Sequence, residues 1–237
     1  MRLSVVLPVF NQGPHISGIV RGYRDALQQL GIGFELILVP NGCTDNSVAV
    51  CQELGREDAR IRTVEVAGSG WGRAVISGLA AATGDLLCYT NTARTSAQLL
   101  GRCVEAALAD RSCVVKVTRI ARRGSRFWGS ALYNMLGRLL LGLRGRDMNG
   151  TPKVFPGKFW ALSGLSETGD LLDLEFMVCC KRLGYPVQEL EAPWGGRQGG
   201  VSTTSLRSAA RMYTGLLRFW LLWRPPTEVP ENSGGLK

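Results

Sequence analysis

Short apolar runs alternating with longer amphipathic stretches constrain this chain more than any other feature of its sequence. Leu3 to Val9, Phe34 to Val39, Ile61 to Val66 and Leu86 to Tyr89 have the length and apolar character of buried strands. Between and after them, Ile16 to Leu30, Asn46 to Leu54, Arg73 to Ala82 and Ala97 to Ala109 carry helical spacing. Strands joined through helices run parallel and bury both faces of their sheet. The sequence therefore predicts an α/β chain, a mostly parallel sheet flanked by helices on both faces. Further on come strands at Cys113 to Val117, Lys153 to Phe155 and Val187 to Glu191, and helices at Trp128 to Leu143 and Asp173 to Leu183. A last helix, Ser205 to Trp223, sets Arg207, Arg211 and Arg218 among Leu, Phe and Trp. The expected division is a main domain over 1–204, an amphipathic C-terminal helix over 205–224 and a disordered tail over 225–237.

Composition narrows the partners. With 28 Lys and Arg against 19 Asp and Glu, the formal charge is +9, which favours nucleotides, phosphorylated substrates or an anionic lipid surface. Seven cysteines without a CxxC pair signal neither a disulfide framework nor a zinc site, and suit a reducing cytoplasm. His15 is the single histidine, so His-based triads and multi-His metal sites are excluded. The basic run Arg119 to Arg126 has no interleaved aromatic platform, so no nucleic-acid partner is expected. No apolar run reaches the roughly 20 residues of a spanning helix. The expected location is cytoplasmic, with the arginine- and tryptophan-bearing last helix allowing peripheral attachment at the inner face of a membrane.

In open α/β sheets ligands gather at the carboxyl ends of the strands. Three such ends carry turn chemistry: Asn11-Gln12-Gly13-Pro14, Pro40-Asn41-Gly42, and Asn91-Thr92-Ala93 after the run that begins at Gly84-Asp85. Gly68-Ser69-Gly70-Trp71-Gly72 opens a helix, and such a loop either cradles phosphate or only makes a tight turn. Asn41 either contacts ribose or base or caps the turn that Gly42 completes.

Taken together, Leu3 through Asn11, Val39 through Asp45, and Gly70-Trp71-Gly72-Arg73-Ala74 through Thr83-Gly84-Asp85 resemble successive signatures of family 2 glycosyltransferases of GT-A fold. Asp147 through Phe155, Asp173-Leu174-Glu175, Arg182 through Tyr185 and Arg197 to Ser202 are similar to the polyprenyl-phosphate branch, typified by dolichol-phosphate mannose synthase. The resemblance implies inverting transfer of a sugar from a nucleotide-sugar to a polyprenyl phosphate or a small acceptor. It implies donor contacts at Pro8, Phe10, Gln12, Asn41, Gly70, Gly72, Arg73, Asn91 and Ala93. It implies Asp173 as the catalytic base, and phosphate or acceptor contacts at Arg119, Lys153, Arg197 and Ser202.

The same resemblance shows where this chain departs. The family has an acid after the first-strand Asn, an Asp pair at the second strand end and Asp-x-Asp at the fourth. Here those places hold Gln12, Pro40-Asn41 and Asn91-Thr92-Ala93. Mg²⁺ and Mn²⁺ seek hard, charged oxygens, so no metal site is assigned; the alternative is an ion held mostly by the substrate diphosphate. Arginine can replace a metal on a diphosphate by bidentate hydrogen bonding, and Arg73, Arg94, Arg119, Arg122, Arg123 and Arg197 are the candidates. The expectation is a metal-independent transferase. The competing expectation is a non-catalytic or repurposed GT-A-fold protein that binds a nucleotide or another phosphorylated ligand.

Overall fold

The computed structural model describes residues 1–120, 125–193, 198 and 206–222. The expectations for Arg122, Arg123, Arg197, Ser202 and the 225–237 tail lie outside them. The first half runs β1 (Arg2–Val9), α1 (Gly13–Gln29), β2 (Gly33–Pro40), α2 (Ser47–Glu57), β3 (Ile61–Thr63), α3 (Trp71–Ala81), β4 (Leu86–Tyr89) and α4 (Ala97–Ala109). The second half runs β5 (Val114–Ile120), α5 (Ser125–Leu141), β6 (Lys153–Pro156), α6 (Gly157–Ser163), α7 (Leu172–Arg182), β7 (Val187–Pro193) and α8 (Leu206–Leu222).

The strands form one sheet in the order β3-β2-β1-β4-β6-β5-β7. Every pairing is parallel except those of β6, which runs antiparallel to both β4 and β5. Strand side chains alternate between faces, and each face has its own core. Leu3, Val5 and Leu7 pack with Ile16 and Val20 of α1 and Leu100 and Val104 of α4. Val6, Ile37 and Val39 pack with Val75 and Leu79 of α3, and the same core takes in Phe155, Phe159 and Phe176. The third strand is shorter than its apolar pattern predicts. It stops at Thr63, and Val66 makes only a lone bridge to Asn41.

Glu35 ties down the amino end of β4. Its side chain is only 1% exposed, and it accepts hydrogen bonds from Ser4 Oγ at 2.6 Å, Thr83 N at 2.9 Å and Arg62 Nε at 3.0 Å. Burial pushes this carboxyl up, but the bonds from Ser4, Thr83 and Arg62 outweigh it and bring it down to about 2. Gly84 follows because a Cβ there would stand 2.7 Å from Arg2 O and Ser4 N. The Gly84-Asp85 pair thus has a packing reason, reinforced by Asp85 Oδ2 accepting from Arg2 N at 2.9 Å.

The last helix has two faces. Leu216 and Phe219 are buried in the second core, and Tyr213 donates its hydroxyl to Gly129 O of α5. Leu217, Trp220 and Leu221, at helical spacing, stay exposed, as do Leu132, Met135 and Leu139 of α5. Among the described residues no helix is long and apolar enough to cross a membrane.

Candidate active site

Parallel strands bring the carboxyl ends of β1, β2, β4, β5 and β7 to one edge, and a cleft of about 230 Å³ opens there beside those of β4, β5 and β7. Trp71, Asn91, Arg94, Arg119, Asn149 and Asp173 are among its lining residues. Asn91, Arg119 and Asp173 are therefore brought together at one opening.

Asp173 lies in the first turn of α7, where unpaired helix amides favour a carboxylate. Its Oδ2 accepts from Trp71 Nε1 at 3.1 Å, and its Oδ1 from the Tyr89 hydroxyl at 2.8 Å and from Lys153 Nζ. Lys153 is wholly buried, with its ammonium 5.4 Å from the ring centroids of Tyr89 and Phe176. Burial pulls that ammonium below the usual lysine range, while Asp173 pulls it back up. Burial also pushes the Tyr89 hydroxyl well up, and the neighbouring Asp173 charge adds to this. Lys153 thus stands behind Asp173, enclosed by protein.

The glycine loop is engaged by protein as well. Gly70 N donates to Asn41 Oδ1 at 3.2 Å, Gly72 N to Gly169 O at 3.2 Å and Arg73 N to Thr168 O at 2.9 Å. A Cβ on Gly72 would come within 2.2 Å of Glu167 O, so close backbone approach is what requires glycine there. The 167–169 segment is itself fixed by Glu175, which accepts from Ser166 N, Ser166 Oγ and Glu167 N. The Arg73 guanidinium reaches Ala67 O at 3.0 Å.

The neutral positions have found protein partners too. Asn41 Nδ2 donates to Val9 O at 2.9 Å and Val39 O at 3.2 Å, joining β1, β2 and the glycine loop. Thr92 Oγ1 donates to Gln12 Oε1 at 3.1 Å and lies 3.4 Å from Pro8 O. Phe10 stands half-buried just past the end of β1. Asn91 Oδ1 accepts from Ala93 N at 3.0 Å in a tight local turn, and Ala93 O accepts from Gln198 N at 2.7 Å. Arg119 Nε and Nη2 grip the Asp147 carboxylate at 2.5 and 2.7 Å, beside the opening.

This donor set does not fit a divalent metal. The amide oxygen of Asn91 is used within its own turn and Ala93 offers no side-chain ligand. The two carboxylates lining the cleft face cations, Asp173 with Lys153 and Asp170 with Arg211 at 3.6 Å. No cluster of three His, Cys, Asp or Glu side chains occurs among the described residues.

The family model described as Glycosyl transferase family 2 matches residues 4–166. This chain belongs to glycosyl transferase family 2. Among curated relatives of this family 2 chain, the glycosyltransferase AglD of Haloferax volcanii is 30% identical over 235 residues, 93% of this chain and 37% of that protein. An undecaprenyl-phosphate 4-deoxy-4-formamido-L-arabinose transferase of Pseudomonas fluorescens is 28% identical over 138 residues, 56% of this chain and 40% of that one. The family 2 chain therefore spans about two-fifths of the length of these relatives. A solved structure of glucosyl-3-phosphoglycerate synthase from Mycobacterium tuberculosis, in complex with Mn²⁺, UDP and glucosyl-3-phosphoglycerate, superposes with a TM-score of 0.68 at 20% identity. That match covers 92% of this chain and 78% of the other. The likeness shows the GT-A fold.

Trp71, Asn149 and Thr151, absent from the expected site residues, also line the cleft. An aromatic between two glycines in a loop that feeds a helix was the available signal for Trp71.

Proposed function

We propose that this chain transfers a sugar from a nucleotide-sugar to the phosphate of a polyprenyl phosphate, with inversion and without a resident metal. The observation that carries this reading is the state of Asp173, whose carboxylate already takes three donors including an ammonium. An alcohol acceptor needs a base to take its proton, whereas a phosphate acceptor is already ionised. The Pseudomonas relative, an undecaprenyl-phosphate 4-deoxy-4-formamido-L-arabinose transferase, supports the same choice. In the proposed step a phosphate oxygen attacks the anomeric carbon opposite the leaving group. The bond from that carbon to the diphosphate oxygen breaks, and its electron pair leaves with the nucleoside diphosphate. Arg94 at the cleft offsets the charge that develops there, beside the Arg119–Asp147 pair.

The exposed apolar residues of α5 and α8 support peripheral attachment to a bilayer, and exposed Arg138, Arg211 and Arg218 suit anionic headgroups. Met212 of α8 lines the cleft, so the same helix would bring the opening near a lipid phosphate.

The test is transfer of labelled sugar from a panel of UDP- and GDP-sugars to undecaprenyl phosphate in EDTA, beside calorimetric titration of the donor with and without Mn²⁺. Transfer in EDTA is the expected result, and strictly Mn²⁺-dependent binding overturns the metal-free step. Donor binding with no turnover would make the chain a binding module on the same fold.

A further inference from the structure

We infer that Trp71 is the platform on which the transferred sugar ring rests, an assignment that builds on the donor reading above. Its backbone is fixed by hydrogen bonds that the Gly70, Gly72 and Arg73 amides donate to Asn41 and the 167–169 segment. Its indole N–H is held by Asp173 at 3.1 Å, and its ring meets Tyr89 edge to face at a centroid separation of 6.2 Å. With backbone, N–H and one edge committed to protein, the half-buried side chain still lines the cleft. An aromatic surface held this firmly binds without losing rotamer freedom, and the C–H face of a pyranose is an apolar surface that can pack on it.

Position selects the sugar over the base. Gln12 and Asn41 lie at the ends of β1 and β2, while Trp71 reaches across to Tyr89 of β4 and Asp173 of α7. Asn149 and Arg119 line the same opening. In this arrangement Asp173 is a positioning residue, acting through the indole it holds.

The experiment compares two affinities per variant, using UDP-glucose and GDP-mannose against free UDP and GDP. Trp71→Ala should weaken binding of UDP-glucose or GDP-mannose by roughly tenfold, while free UDP or GDP binds as in the parent. Trp71→Phe keeps a ring and should retain most of the nucleotide-sugar affinity, and its melting curve reports whether the fold survives. Equal weakening of sugar-bearing and sugar-free ligands, or no change in either, overturns the assignment. If none of these nucleotides binds the parent chain, the donor reading itself fails and the platform falls with it.

Discussion

Lys153 and Asp173 form an ion pair inside the protein at the wall of the cleft, with the lysine fully buried and Asp173 only 5% exposed. Desolvating two charges is costly, and their attraction compensates only while both are present.

Removing one partner should therefore be much worse than removing both. Lys153→Met leaves a buried carboxylate with only neutral donors, and urea denaturation should show a loss of about 3–5 kcal/mol. The double variant Lys153→Met with Asp173→Leu should recover most of it. A single-variant loss below about 1 kcal/mol would mean that the pair is not formed in solution.

Gly72→Ala should lower the melting temperature by an amount equivalent to roughly 1–3 kcal/mol, the usual range for overpacking. The added methyl meets backbone oxygens of Glu167 and Gly169, which cannot rotate aside. The resulting shift of the 167–169 segment should also loosen Trp71 and reduce donor affinity in a thermal-shift titration. Unchanged stability would show that the two loops stand further apart than described.

Glu35 makes stability depend on acid. Its folded value of about 2 lies below the ordinary carboxylate value, so its contribution is complete above the unfolded pKa of about 4.3. It is lost as pH falls from there toward 2. A decline on the order of 3 kcal/mol across that window is expected from the size of the shift. Glu35→Gln should flatten this part of the profile in pH-dependent chemical denaturation, and an unflattened profile would assign the acid sensitivity elsewhere.

The exposed stripe of α8 should matter for lipid and not for folding. Trp220→Glu and Leu221→Glu should reduce co-sedimentation with phosphatidylglycerol vesicles severalfold. Both sites are solvent-facing, at 46% and 69% exposure, so stability should change by no more than about 0.5 kcal/mol. Binding that persists in both variants would move the lipid contact off this helix.

Much of the fold was legible because the parallel α/β pattern writes itself locally, as apolar runs and helical periodicity. The reversal of β6 was not, since an apolar run of four residues carries no sign of its direction. Helix α6, seven residues long between Pro156 and Gly164, is too short for its periodicity to stand out. At the site, Asn91 was legible from its strand end, whereas Arg119 and Asp173 came only through the family resemblance; all three line the opening. Lys153 could not be placed behind it. A lysine at the start of a strand looks solvated, and its partner lies twenty residues away on another element. The glycine loop was ambiguous for a different reason, because glycine serves phosphate cradling and close backbone packing equally well.

Asn41 closes the way back to an acidic site. Its amide donates to two carbonyl oxygens and accepts from one amide, a combination that needs a hydrogen-bearing nitrogen beside an oxygen. An ionised Asp at 41 would set negative charge against Val9 O and Val39 O in a buried place, with no donor to offer either. Restoring an acid at 41 by itself would therefore give up two donated hydrogen bonds. The amide joins two strand ends to the glycine loop, so an acid at 41 would need its neighbours to change with it.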